Sequence, residues 1–364
     1  MKTTKVRAGL PLALLGLLAC GCNLAGTSGL RAGRLDYNSA IQETASKQLL
    51  LNLVRLRYDD PPMFLEVTAV NTSYTLSKNA AISAVFNDAD LPNTFSPSAA
   101  LGHAETPTIT YVPLQGEKFT QNLLRPVKLQ TLLLLYHTGW AIHRIFEVCL
   151  QNMNSLDNAR HASGPTPYQP PSSKEFKRAV AILCQHQLKG DICLLSRPRE
   201  GDDVDLILRF EPPAQKEPDV AEFKKLLGLP PDRNEFTITT LARDDPTQIF
   251  VTTRSLMGSL FYLSQGVEVP ASHMASGEVL VTRDAEKRPF DWKQVLGGLF
   301  QVRCGHSGRA AVSVTYRGRC FWIAANDIET KATFHMLTQL FALQAGGDVR
   351  GGIPVLTVPV GGGR

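Results

Sequence analysis

Residues 312–331, VSVTYRGRCFWIAANDIETK, decide the fold class. Val312, Val314 and Tyr316 alternate with Ser313 and Thr315, the period-two pattern of a strand with one inward face. Arg317 and Gly318 supply a tight reversal and residues 320–323 return, so the segment reads as an antiparallel hairpin. Asn326, with Glu329 three positions on, forms a capping box. The helix it opens repeats Phe334, Leu337, Phe341 and Ala345 on one face and ends at Gly346. A hairpin that feeds straight into a helix pairs its strands locally, without the long crossover that parallel strands need. The expected class is therefore α+β, mixed helices with antiparallel strand pairs. A last strand is expected over 353–360, ahead of a glycine tail.

Upstream of the hairpin the same interleaving persists. The apolar run 255–264 reads as a helix, and 248–252, 235–241, 204–210 and 191–196 read as strands. A short helix over 222–227 ends at Gly228 and the pair Pro230 and Pro231. Ser173 caps a helix with Phe176, Val180, Leu183 and Gln187 in its stripe and Gly190 as terminator. Residues 158–172 hold Pro165, Pro167, Pro170 and Pro171 among few apolar residues. That stretch reads as a proline-rich linker between two α+β regions, 36–157 and 173–364, a division that suits 364 residues.

Nearer the amino terminus, residues 120–153 read as helix interrupted at Pro126 and Gly139, with Ile142, Ile145, Phe146, Cys149 and Met153 as one stripe. Strands are expected over 63–76 and 107–112, either side of a long polar surface loop at 87–105. Ser39 and Gln42 make another capping box. Ile41, Ala45, Leu49, Leu53 and Leu56 continue that helix until Asp59, Asp60, Pro61 and Pro62 stop it. Arg55 and Arg57 sit in its last turn, where cations complement the helix dipole.

Residues 1–19 read as a processing signal and not as part of the fold. Lys2, Lys5 and Arg7 precede the uncharged, leucine-rich run 8–18, too short to span a bilayer of about 30 Å. Leu17, Leu18, Ala19 and Cys20 follow, and this LLAC run resembles the lipobox of bacterial lipoproteins. The resemblance implies cleavage before Cys20, lipidation of its thiol and a membrane anchor without a transmembrane helix, since two or three acyl chains hold stably where one does not. Residues 20–35, rich in Gly, Ser and Ala, would form a flexible lipidated tether. Gly21 after the cysteine, in place of aspartate, implies an outer-membrane, periplasm-facing location in a cell with two membranes. The stretches 49–67, LLLNLVRLRYDDPPMFLEV, and 314–331 are similar to segments of uncharacterised bacterial envelope lipoproteins, a resemblance that supplies no site residues. Removing residues 1–19 leaves 35 basic against 33 acidic residues, a net charge of +2 in place of +5. With no basic stripe left, nucleic acid is not an expected partner.

An exported chain meets oxidising conditions, so the cysteines come first among candidate sites. Cys304 and Cys320 lie on neighbouring expected strands and form a candidate disulfide; Cys184 and Cys193 flank one helix-to-strand turn and form another. The alternative is that all four are small buried apolar residues. Cys184 with His186, and Cys304 with His306, lack the spacing of structural zinc ligands. His143 and Glu147 share a helix face at i and i+4. Asp202, Asp203 and Asp205 lack the spacing and glycine of an EF-hand loop. No GxSxG, HExxH or GxxxxGK[ST] pattern occurs, so no catalytic residue, metal or cofactor is assigned. Arg317, Arg319 and Trp322 on the hairpin are the candidate partner surface, because Arg and Trp are the types interfaces favour. Exchanging the two arginines for glutamate is then expected to leave folding intact.

The expected function is that of a lipid-anchored envelope protein serving as a binding, scaffold or assembly component, partnered by the membrane through Cys20 and by envelope proteins. The alternative is a membrane-tethered hydrolase acting on an envelope polymer. A solute-binding lipoprotein fits less well, because no repeated pair of α/β lobes is visible.

Overall fold

The structure, a computed structural model, describes residues 25–85, 94–199, 203–241 and 245–345. Cys20, Cys22, Asp202, Gly346 and the expected strand 353–360 lie outside the described residues. The fold is α+β and divides into two compact units, Met63–Gln115 and the remainder of the chain.

Helix α1 (Ala25–Arg57) belongs to the larger unit. It begins well upstream of the Ser39 capping box and takes in residues 25–35, which composition assigned to the tether. Strands β1 (Leu65–Val85) and β2 (Thr94–Pro113) then make up the smaller unit. They pair antiparallel along their whole length, from Leu65 opposite Pro113 to Val85 opposite Thr94, with one irregularity between Val67 and Ala69. Residues 94–105, expected as loop, are therefore strand. Their Ser, Ala, Gly and Pro content gives little strand propensity, and pairing with β1 overrides it.

The chain re-enters the larger unit through α2 (Glu117–Leu124), α3 (Leu129–His137) and α4 (Ile142–Cys149), broken at Pro126 and at Gly139, whose φ is 92°. Helix α4 runs directly into β3 (Leu150–Met153), so Met153 is a strand residue and not the end of a helical stripe. Next come β4 (Leu156–Asp157), α5 (Lys174–Lys189), β5 (Ile192–Pro198), β6 (Val204–Phe210), α6 (Pro218–Leu227), β7 (Glu235–Thr239) and β8 (Gln248–Thr253). The six strands form one sheet in the order β4-β3-β8-β7-β6-β5. Every pairing in it is antiparallel except β7 with β8.

Helix α7 (Leu256–Ser264) is the centre of the larger unit: Leu256, Leu260, Tyr262 and Leu263 are all buried. It packs against α1, α2 and α4. Ser255 caps it, accepting a bond from the Gly258 amide at 3.0 Å. Just before it, the fully buried Arg254 clamps the segment that composition marked as a linker. Its guanidinium bonds the carbonyls of Glu147, Val148, Leu150, Asn158 and Ala159 and the hydroxyl of Ser163, and it lies 4.0 Å from the Tyr262 ring centroid. Asn158, Ala159, Ala162 and Thr166 are buried in consequence. The stretch 158–172 is thus an internal connection of the larger unit, and the compact units divide at 63–115 instead.

Helices α8 (Ala271–Ala275) and α9 (Lys293–Leu296) lead to a small antiparallel sheet of β9 (Arg303–Cys304), β10 (Ala310–Tyr316) and β11 (Arg319–Ala324), in the order β10-β11-β9. The two turn residues, Arg317 and Gly318, have φ of 45° and 72°, the two positive values of a type I′ hairpin. Helix α10 (Ile328–Ala345) is the helix expected after it. Its cap is Asp327, one residue beyond Asn326, with its carboxylate on the Thr330 amide at 3.0 Å and hydroxyl at 2.8 Å.

Candidate functional site

The end of α1, the loop after α7, the turn around α9 and the β9/β11 edge enclose a cavity of about 440 Å³. The volume lies within the range of small-molecule sites. Gly266 makes the enclosure: a Cβ there would meet the Phe300 carbonyl oxygen at 2.6 Å. That close approach lets Val302 donate to the Gly266 carbonyl and Glu268 to the Val302 carbonyl, joining the two loops side by side.

The floor is polar. Arg57 is only 6 % exposed and donates through Nη1 to the Thr166 hydroxyl at 3.3 Å and the Leu280 carbonyl at 3.0 Å. Its Nε has no hydrogen-bond partner. Gln265, 3 % exposed, donates to the same Thr166 hydroxyl at 3.1 Å, while its Oε1 has no partner. Burial pulls the Arg57 guanidinium down to about 10, so it remains a cation at neutral pH. The walls are apolar: Val267, Trp292, Leu296 and Phe300 are buried, and Trp292 is fixed by its indole N–H on Thr282 at 3.3 Å and by Phe290 edge-on at 5.5 Å. At the rim, the Glu268 carboxylate takes Gln301 at 2.8 Å, Lys293 at 3.2 Å and the Cys304 amide at 3.2 Å. Asp291 caps α9 through the Lys293 amide at 3.0 Å.

Beside the cavity, Tyr58, at the end of α1, meets His273, Tyr316 and Phe321 edge-on, and its hydroxyl is 2.7 Å from His273 Nδ1. Burial pushes the phenol up to about 12, so it keeps its proton. Arg317 binds Asp60 and Glu278, both at 2.9 Å, and its guanidinium lies 5.1 Å from the Tyr58 ring centroid.

These contacts revise the expected partner surface. The charge of Arg317 is taken up inside the chain. Trp322 is 9 % exposed, opposite Ser313 and Arg303. Arg319 lies three positions earlier, hence on the other face of the sheet, where it lines the cavity. The three residues do not form one surface.

The expected disulfide is also revised. Cys304 pairs with Phe321 and Cys320 with Thr315, so the two side chains leave opposite faces. Both are free thiols, as are Cys184 and Cys193. Cys184 meets His143, at 3.1 Å between Sγ and Nδ1, and not His186, whose ring faces Asp219 at 3.1 Å and Asp191 at 3.5 Å. Burial raises the Cys184 thiol and lowers the His143 imidazole, so the pair is held as neutral thiol and neutral imidazole, the reverse of an activated nucleophile. Glu147 is turned towards Lys177, at 3.8 Å. Asp203 and Asp205 are paired with Arg199, at 3.2 and 3.0 Å. Among the described residues no group of three or more His, Cys, Asp or Glu side chains could hold a metal ion, and no helix is long and apolar enough to cross a membrane.

Sequence reading missed Arg57 and Gln265. Arg57 was visible as a basic residue in a last turn, but nothing local distinguishes a solvated cation there from a buried one. No protein family, curated protein or solved structure matches the chain.

Proposed function

We propose that this chain is a lipid-anchored assembly component of a bacterial cell envelope, held at the outer membrane by acylated Cys20 and facing the periplasm, which joins envelope proteins by adding its β1/β2 ribbon to their strands. The ribbon carries this reading. Strands of 21 and 20 residues reach about 65 Å, and β1 and β2 pair only with each other among the described residues. A two-stranded ribbon has no core of its own and is marginal in water, and each strand keeps one edge that pairs with no other strand among the described residues. A third strand supplies both a partner for such an edge and a surface to pack on. β2 includes Pro97 and Pro107, which have no N–H to give, whereas β1 contains no proline, so β1 is the edge fitted to receive a strand.

The test removes residues 71–108 and joins Val70 to Ile109 through Asn-Gly. Cross-linking in native membranes should then lose the captured envelope proteins, while membrane fractionation and the thermal unfolding of the larger unit stay as in the full chain. Undiminished capture by the shortened chain would overturn the proposal. A Cys20→Ala chain found in the soluble fraction would separate anchoring from assembly.

A further inference from the structure

We propose that the cavity floored by Arg57 and Gln265 is a binding site for a small organic monocarboxylate with an apolar or aromatic body. This site is independent of the ribbon. A buried guanidinium is normally matched by a carboxylate, since removing a charge from water without compensation is costly. Among the described residues no acidic side chain lies within ion-pair distance of Arg57, and its Nε has no acceptor. The acids nearest the cavity are already committed: Glu268 to Lys293, Gln301 and the Cys304 amide, Asp291 to the start of α9. The protein thus supplies the cation and withholds the anion.

The floor also fixes the ligand's charge. It holds one buried cation, which balances one negative charge. A phosphate monoester brings between one and two, and its excess would have to sit against apolar walls. A carboxylate also suits the planar guanidinium fork. The unpartnered atom of Gln265 is Oε1, an acceptor, so within the floor the carboxylate is held by Arg57. Above these groups Trp292, Phe300, Leu296 and Val267 offer only apolar surface, which selects a hydrocarbon or ring body. Arg319 at the mouth has no ion-pair partner among the described residues and would draw anions towards the opening.

The test uses the full chain in a nonionic detergent with 4-phenylbutyrate as probe, 4-phenylbutan-1-ol as its neutral counterpart and phenyl phosphate as the more highly charged one. Binding is read by titration calorimetry and by Trp fluorescence, since Trp292 lines the wall. The carboxylate should bind at least about tenfold more tightly than the alcohol, the difference a charge-assisted bond is worth. Arg57→Gln should remove that preference while leaving alcohol binding unchanged, and Arg57→Lys should restore part of it. If Arg57→Gln fails to fold, Met274→Trp, also in the cavity lining, serves in its place and should weaken 4-phenylbutyrate and 4-phenylbutan-1-ol alike in a chain with unchanged unfolding. Equal affinity for acid and alcohol, a preference that survives Arg57→Gln, unaltered binding in Met274→Trp, or no binding of any probe at about 10 mM would each overturn the site. Tighter binding of phenyl phosphate would overturn the monocarboxylate assignment.

Discussion

Arg254 is the residue on which the architecture of the larger unit depends most directly, and replacing it with lysine separates the role of its charge from that of its shape. Six polar contacts radiate from one guanidinium to Glu147, Val148, Leu150, Asn158, Ala159 and Ser163. Lysine keeps the charge, but its ammonium has three donors at a single point. At least three contacts are lost. At about 1.5 kcal/mol for each bond to a charged donor the cost is about 4–5 kcal/mol. The ammonium can limit this by giving up its proton, as buried lysines do, which caps the cost at a similar figure. Arg254→Met gives up the contacts too, yet recovers the penalty of burying the cation. Burial draws the Arg254 guanidinium down to about 10, which corresponds to about 3 kcal/mol. The methionine variant should therefore lose only about 1–3 kcal/mol, chiefly from the stranded Asn158 carbonyl and Ser163 hydroxyl. Thermal unfolding followed by circular dichroism should place the lysine variant about 8–16 °C below the parent, with methionine between them. A lysine variant within about 1 kcal/mol of the parent, or one more stable than methionine, would show that charge and not the planar fork organises residues 147–163.

Two further outcomes follow from the same contacts. His143 is held below the ordinary histidine range by burial, with Arg144 adding to the effect, so the unfolded chain takes up a proton near pH 6.5 that the folded chain refuses. More protons bound by the unfolded state means stability that falls as the pH drops through that region; His143→Gln should flatten the slope of unfolding midpoint between pH 8 and 5, and identical slopes would refute the assignment. Arg317→Glu places a third carboxylate beside Asp60 and Glu278 and removes the cation from the Tyr58 ring, whereas Arg319 is exposed and forms no ion pair among the described residues. Only the Arg317 variant should melt at a lower temperature; equal melting of both would return Arg317 to the surface role its sequence suggests.

The elements that were legible are those whose signals are local. Positive φ at Arg317 and Gly318, Gly190 closing α5 and Gly228 closing α6 are consequences of single residues, and the ends they set fall where expected, although α6 begins at Pro218, four residues ahead of the expected 222. The alternating hairpin belongs with them. The errors share a different cause. Residues 94–105 have a loop composition, and only β1 on the other side of the turn makes them a strand. The four-proline stretch has a linker composition, and residues far along the chain make it internal: Arg254 on Asn158, Ala159 and Ser163, and Arg57 and Gln265 on Thr166. Cys304 and Cys320 stand on neighbouring strands as expected, but a register displaced by one residue sends their side chains to opposite faces, and no run of letters fixes that register.

The cavity lay beyond sequence reading for the same reason, and its assembly explains why. Its floor comes from Arg57 and Gln265, and the two meet at Thr166, three segments separated by about a hundred residues each way. None carries a pattern that names a site, because an unmatched arginine is defined by what fails to lie opposite it once the chain is folded. A last-turn arginine on an exposed helix stays solvated and is worth a few tenths of a kcal/mol to the dipole, roughly 0.3–1. The same arginine beneath Trp292 and Phe300 is a buried cation that the fold must tolerate. Folds tolerate such groups where a ligand or partner completes them, since any molecule that binds the folded state alone stabilises it in proportion to its occupancy. A monocarboxylate seated on Arg57 would thus raise the unfolding temperature of the native chain more than the matching alcohol does, and raise that of Arg57→Gln no more than the alcohol does, so stability and binding report on one and the same contact.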